Sequence, residues 1–173
     1  MSLCDLPNLW PAFRQTTWLP SVHERCLLAV QRRVRSLALP GLADESVVVQ
    51  RLPWARDFVR QPPHYEMPGV IVSVWGTEQM NPLGGSNLVD QVTYPVCITI
   101  VAADRPYFTG FDVFLWWRER LSRAFRDQPL AGVGEVLNCI VEPGEIVAPN
   151  ALLRGVLHSS LMLRFTSNEA REV

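Results

Sequence analysis

The residues of this 173-residue chain that could attack, carry protons or hold a metal ion are three histidines, four cysteines, a His158-Ser159-Ser160 triplet and a few spaced carboxylates. His23, His64 and His158 fall at a helix start, in a proline-rich loop and on a late strand. Cys4, Cys26, Cys97 and Cys139 are scattered, with no Cys-x-x-Cys pair and no histidine at a zinc-site spacing. They read as reduced thiols, and Cys97 and Cys139 lie in apolar strand-like runs where a free cysteine packs as a small hydrophobe. His158, Ser159, Ser160 and Asp112 are the residue types of a hydrolase triad, but no Gly-x-Ser-x-Gly elbow accompanies them. They read as polar residues on the exposed face of a strand and at a helix start.

Glu142 and Glu145 around Pro143-Gly144, and Asp104 with Asp112, are the carboxylate pairs that could do acid–base or metal work. Both pairs fall at loop positions, where a solvated charge is the ordinary case. Gly84-Gly85 lacks the strand-to-helix setting of a phosphate loop and reads as a turn. All 16 basic residues are arginines, which excludes a lysine Schiff base or a phosphate-loop lysine. The expectation is a protein with no catalytic, cofactor-binding or metal site, no cofactor, and no enzymatic activity.

The elements that would position these residues follow from periodicity and turn chemistry. Ser21 with Glu24 three residues on is a capping-box signature, and Val22, Cys26, Leu27, Val30, Val34 and Leu37 recur at helical spacing, so a helix is predicted over 21–38. Its Arg25, Arg32, Arg33 and Arg35 read as a solvated face, and Pro40-Gly41 as its end. Strands are predicted over 46–52, 69–75 and 91–103, the last interrupted by Pro95, which points to a bulge or an edge. A second helix covers 110–127, with Phe111, Phe114, Leu115, Leu121, Ala124 and Phe125 inward and Arg118, Glu119, Arg120, Arg123 and Arg126 mostly outside. Of Trp116 and Trp117, at most one can face the core squarely. Strands over 135–141 and 155–166 close the chain. Residues 53–68 and 76–90 read as long loops, and loops of that length in compact domains are usually functional.

This order predicts an α+β fold, an antiparallel or mixed β-sheet of about five strands with two main helices packed on one face. Residues 1–20, with Pro7, Pro11, Pro20, Trp10, Phe13 and Trp18, read as an aromatic, proline-rich N-terminal arm, and 21–173 as a single domain. With 48% hydrophobic and 19% charged residues the chain has the material for a core. Its net charge of -1 argues against a nucleic-acid binder, so no sequence-specific nucleic acid is expected. No stretch reaches the roughly 18 apolar residues of a membrane span, and Met1 to Trp10 lacks a signal pattern, so no membrane partner is expected and the protein is read as cytoplasmic where it is made.

The order of segments resembles the tail terminator proteins of long-tailed bacteriophages and, more loosely, neck or tail-completion proteins. The residues that carry the likeness are the helix over 21–38, the strand Met67-Pro68-Gly69-Val70-Ile71-Val72-Ser73-Val74, and the long strand from Val92 to Val101. The helix from Asp112 to Phe125 and the closing Ser159-Ser160-Leu161-Met162-Leu163-Arg164-Phe165-Thr166 complete it. The likeness spans residues 21–168 and lies in layout, not in a motif; the arm and the 53–68 excursion depart from smaller members. It implies a non-enzymatic homo-oligomer, a ring of six subunits at the head-proximal end of the tail tube, assembled in the host cytoplasm and housed at the head–tail junction of the virion. Such a ring stops tube growth and meets the tail tube protein on one side and a head connector or neck protein on the other.

On that reading Trp54, Arg56, Arg60 and Tyr65 of the excursion and Glu78, Asn81 and Asn87 of the polar loop meet partners. Trp10 and Trp18 of the arm, with Trp116 and Arg120 of the second helix, complete the candidate partner or subunit contacts. Two alternatives stay open. One is another head–tail or baseplate component. The other is a small cytosolic α+β enzyme whose site gathers His158, Glu142 and Asp104.

Overall fold

The computed structural model describes residues 20–50, 67–82, 88–103 and 110–170. The arm, most of the 53–68 excursion, Cys4, His64, Gly84-Gly85 and Asp104 lie outside the described residues, as do the candidate contacts Trp10, Trp18, Trp54, Arg56, Arg60, Tyr65 and Asn87.

The first helix, α1 (Val22–Ser36), begins where Ser21 accepts a hydrogen bond from the Glu24 N–H at 3.1 Å, the half of the capping box that satisfies an orphan donor. It stops earlier than Pro40-Gly41. Leu37 and Ala38 donate back to Val34 and Arg35, and Ala38 takes a left-handed φ of 46°, the terminating conformation usually given to glycine. A short 3₁₀ turn (Asp44–Ser46) then leads into β1 (Val47–Gln50). The other strands are β2 (Gly69–Val74), β3 (Gln79–Pro82), β4 (Val89–Ala103), β5 (Val136–Pro143) and β6 (Val156–Ala170). Between β4 and β5 runs α2 (Phe111–Phe125), and the one-turn α3 (Pro149–Leu152) precedes β6.

The sheet has the order β1-β2-β4-β6-β5, with β3 taking over from β2 along the same side of β4. β1 runs parallel to β2; every other pairing is antiparallel. The sheet is therefore mixed, with six strands, and the fold is α+β with its two main helices on one face. The sixth strand, β3, lies in the stretch read as polar loop: four exposed residues with no apolar alternation carry no strand signal, and pairing with β4 supplies the order.

The two helices share a single core. Cys26, Leu27, Val30 and Val34 of α1 and Phe114, Trp117, Leu121 and Phe125 of α2 cluster with Val96, Ile98 and Ile100 of β4 and Leu161, Leu163 and Phe165 of β6. Ile71, Cys97 and Val101 are equally buried but stand outside that cluster, because in a strand alternate side chains point to opposite faces.

Pro95 is neither at a bulge nor at the sheet edge. It sits between Val96, which pairs with Val74 of β2, and Thr93, which pairs with Gln79 of β3. On that side Tyr94 and Pro95 have no strand partner, so the missing N–H costs no ladder bond. The Pro95 carbonyl is taken by the His23 Nε2–H at 2.9 Å, so His23 fastens the start of α1 to the sheet.

Three sequence readings need correction. The arginines of α1 are not all a solvated face: Arg32 is exposed as read, but Arg25 pairs with Glu135 at 2.7 Å, Arg35 donates to the Val47 carbonyl at 2.9 Å, and Arg33 donates to the Pro129 carbonyl while lying over the Phe125 ring. A side chain as long as arginine reaches from a core-facing helix to those carbonyls and rings with its stem on apolar surface. Arg118 is buried instead of lying outside the α2 core face, for a reason given below. The segment 142–154 is not all loop, since it contains the last residues of β5 and α3.

Candidate functional site

The second face of the sheet changes character along the strands. At one end, register rows run Asn81–Gln91–Asn168 and Gln79–Thr93–Thr166–Asn138, uncharged hydrogen-bonding side chains that are half-buried or exposed. At the other end, Trp75, Cys97, Thr99, Gly144, Glu145, His158, Ser160 and Met162 line a cavity of about 560 Å³. The register explains who meets whom there: Thr99 stands opposite Ser160, and Cys97 opposite Met162.

The cavity wall is closed by a break in β5. Past Pro143, both Gly144 and Glu145 oppose Ser160, the two-against-one pairing of a bulge: Gly144 N–H donates to the Ser160 carbonyl, and Ser160 N–H donates to the Glu145 carbonyl. The bulge crowds carbonyl oxygens together, with lone pairs left over from these bonds. Arg118 collects them from the helix side, donating to the carbonyls of Gly144 (2.9 Å), Glu145 (3.1 Å) and Ser160 (2.7 Å) and to Ser159 Oγ. A planar fork with five donors suits four oxygens at one place, which is why an arginine stands on a face otherwise apolar. Glycine is required at 144, since a Cβ there would stand 2.9 Å from the Ser160 carbonyl oxygen and closer still to its hydroxyl.

Burial holds the His158 ring below its usual pKa, with Glu145 opposing that shift, so the ring is neutral at pH 7. The Cys97 thiol is pushed up by burial and is no ready nucleophile; it bonds Thr99 Oγ1 at 3.6 Å. Glu142 lines no part of the cavity, because its carboxylate is taken by Arg164 Nε at 2.7 Å. The structure thus brings His158 together with Glu145 and Ser160, not with Glu142. Among the described residues no three His, Cys, Asp or Glu side chains gather as a metal ion requires, and no helix is long and apolar enough to cross a membrane.

Of the candidate contacts that are described, all four are exposed. Trp116 is 46% exposed while Trp117 is 3%, the division expected of adjacent helix positions, and the Trp117 indole N–H donates to the Pro40 carbonyl at 3.1 Å. Arg120 lies one turn on from Trp116, Glu78 just precedes β3, and Asn81 lies within it. Sequence reasoning missed the apolar residues beside them. Trp75, Met80 and Leu88 are exposed around β3, and Val113 and Phe111, the latter read as inward but standing at the first turn of α2 and exposed, lie beside Trp116, above an apolar groove of about 320 Å³ lined by Pro40, Pro68, Ala102 and Phe114. Leu137 and Ile140 are exposed on β5 at 55% and 51%. Their strand-like alternation gave no signal, because a shift of register between Val136 and Asn138 lets Leu137 stand out of sequence.

No protein-family model matches this chain, and no curated protein matches it.

Proposed function

We propose that this chain is a structural assembly protein that works as a phage tail terminator does, closing into a ring at the head-proximal end of a tail tube. The observation that carries the reading is the distribution of its exposed apolar side chains. Among the described residues, eight of the twelve large exposed ones form three groups on different elements: Trp75, Met80 and Leu88 around β3, Phe111, Val113 and Trp116 on α2, and Leu137 and Ile140 on β5, with Met67, Ile146, Leu152 and Leu153 exposed elsewhere. Large apolar side chains gathered at a surface mark contact sites. A ring member needs two unlike patches for its two neighbours and a further one for the partner along the axis, because a head-to-tail interface joins different surfaces of identical copies.

In this reading β3, with Glu78 and Asn81, faces the tube or neck partner, and Trp116 and Arg120 serve subunit contacts. Elongation of the tail-tube protein encoded with this chain tests it. With the chain added, tubes are expected to stop at short, uniform lengths under the electron microscope and to carry the chain at one end. Tubes that grow to the same length with and without it count against the role.

A second reading, a small-molecule site, is favoured by one observation, the cavity shared by His158, Glu145, Ser160 and Thr99, whose volume lies in the range of ligand pockets. A ligand that raised the melting temperature of the wild type and not of His158→Ala would support it.

A further inference from the structure

The cavity on the second face is made of groups that select a ligand by shape and hydrogen bonding more than by charge. Cys97 and Thr99 of β4, 6% and 3% exposed, form its floor with Met162 and Ser160 opposite them on β6. Trp75, which also counts among the exposed groups around β3, stands half-exposed on its wall. An indole face and a thioether both favour an aromatic ring, the one by offset stacking and the other through its polarisable sulfur.

The polar groups at the floor are hydroxyls and a neutral imidazole. Thr99, Ser160 and His158 line the cavity, and Ser160 Oγ lies against Gly144, in room that only a residue without a Cβ leaves. One strand over, Ser73 stands opposite Cys97 on the same face, 1% exposed, and its hydroxyl makes no hydrogen bond. A buried hydroxyl left in that state marks a place where a ligand atom or a water belongs. Each of these groups can both donate and accept, so the ligand group that matches them does the same, as a hydroxyl does.

Charge decides what is turned away. Among the described lining residues Glu145 is the one ionised side chain, and it is exposed. The Arg118 guanidinium is bonded to the Glu145 carbonyl from the other side of the bulge, so this wall has one charge of each sign, and Glu142 and Arg164 cancel in their own pair. An anion would meet Glu145 with no lining cation among the described residues to receive it. A cation would gain only a solvent-screened attraction, with Arg118 opposing it. Either would give up water for a floor that offers thiol, thioether and hydroxyl groups.

We propose that this cavity binds an uncharged aromatic molecule bearing a hydroxyl, a compound of the phenol class, with its ring against Trp75 and Met162 and its hydroxyl among Thr99, Ser160 and His158. This rests on the small-molecule reading of the cavity, names the ligand, and does not depend on assembly of copies.

Four probes of nearly one shape test it on the full chain: para-ethylphenol, ethylbenzene without the hydroxyl, para-hydroxybenzylamine with a positive charge, and para-hydroxyphenylacetate with a negative one. The chain has four methionines, and Met162 is the one in the described lining, so methyl-labelled methionine reports binding at this place, with Met162→Leu identifying its signal. Para-ethylphenol is expected to shift the Met162 methyl and to bind about tenfold more tightly than either charged probe. It should bind about fivefold more tightly than ethylbenzene, the size of one net hydrogen bond. Thr99→Val with Ser160→Ala is expected to remove that fivefold preference and leave ethylbenzene bound as before, which also shows the variant folded. A charged probe that binds tightest, or ethylbenzene bound as tightly as para-ethylphenol by the wild type, overturns the phenol class and leaves the small-molecule reading standing. A Met162 methyl that none of the four moves also overturns the phenol class, and if a broad mixture of small aromatic and aliphatic fragments leaves it unmoved as well, the small-molecule reading falls with it.

Discussion

Phe165 and Thr166 are neighbours on β6 and stand on opposite faces of the sheet. Phe165 is fully buried under the two helices, in a layer of Val96, Ile98, Leu161 and Leu163. Thr166 is half-buried in a row with Gln79, Thr93 and Asn138, where neither α1 nor α2 packs. The helix-covered face is where the chain is held together, since apolar area removed from water is the main favourable term in folding. The second face has polar rows, a cavity and a bulge; Ile71, Thr99 and Val101 are buried at one end of it, but losing a side chain from the polar rows at the other end removes little buried area. Stability and recognition are thus divided between two sides of the same pair of 15-residue strands.

The sharpest way to break this division is to cut one residue from each side. Phe165→Ala is expected to lose about 4 kcal/mol in denaturant unfolding, the cost of a large core cavity, while Thr166→Ala next to it changes stability by about 0.5 kcal/mol or less. Similar losses from both would mean the second face is a core as well.

The bulge is the one place where the covered face depends on the other. Arg118→Leu keeps the apolar stem, takes the donor from the Gly144 carbonyl and leaves those of Glu145 and Ser160 with only their remaining N–H and hydroxyl donors, for an expected loss of about 2 kcal/mol. Gly144→Ala, forced against the Ser160 backbone, is expected to cost about 1–3 kcal/mol. An Arg118→Leu protein as stable as the wild type would show that those oxygens find water instead.

Smaller effects come from titration. Burial lowers the His158 pKa in the folded chain, so below its ordinary value of about 6.5 the unfolded chain takes up the proton first, and stability falls as pH falls below about 6.5. In His158→Phe that slope should flatten. Smallest of all is the difference among thiols. Cys26 and Cys139, on the covered face, are fully buried and pushed up to about 12 by burial, while Cys97 borders the cavity. In a Cys4→Ser background, alkylation followed by mass spectrometry is expected to modify Cys97 first and the other two only on unfolding.

Much of the covered face was legible in the residues. The Ser21–Glu24 cap, the helical spacing of Cys26, Leu27, Val30 and Val34, and the apolar alternation of β4 and β6 are local signals that the packing reinforces. What escaped was non-local. Arg118 is buried because of four oxygens on segments 26 to 42 residues away, and no pattern around it encodes that. The strand at Gln79–Pro82 exists by pairing with β4, and Pro95 is tolerated by a gap between two neighbours distant in sequence. For the same reason the exposed residues of α2 and the polar loop could be named, but not the hydrophobic groups beside them.

The claim at the centre of this account is that copies of the chain join one another. Mass in solution, measured by light scattering across a concentration series with and without tail-tube protein, tests it most directly. A discrete closed assembly, formed alone or when tube protein is added, is the predicted result. A monomer of 19.6 kDa under every condition would contradict it.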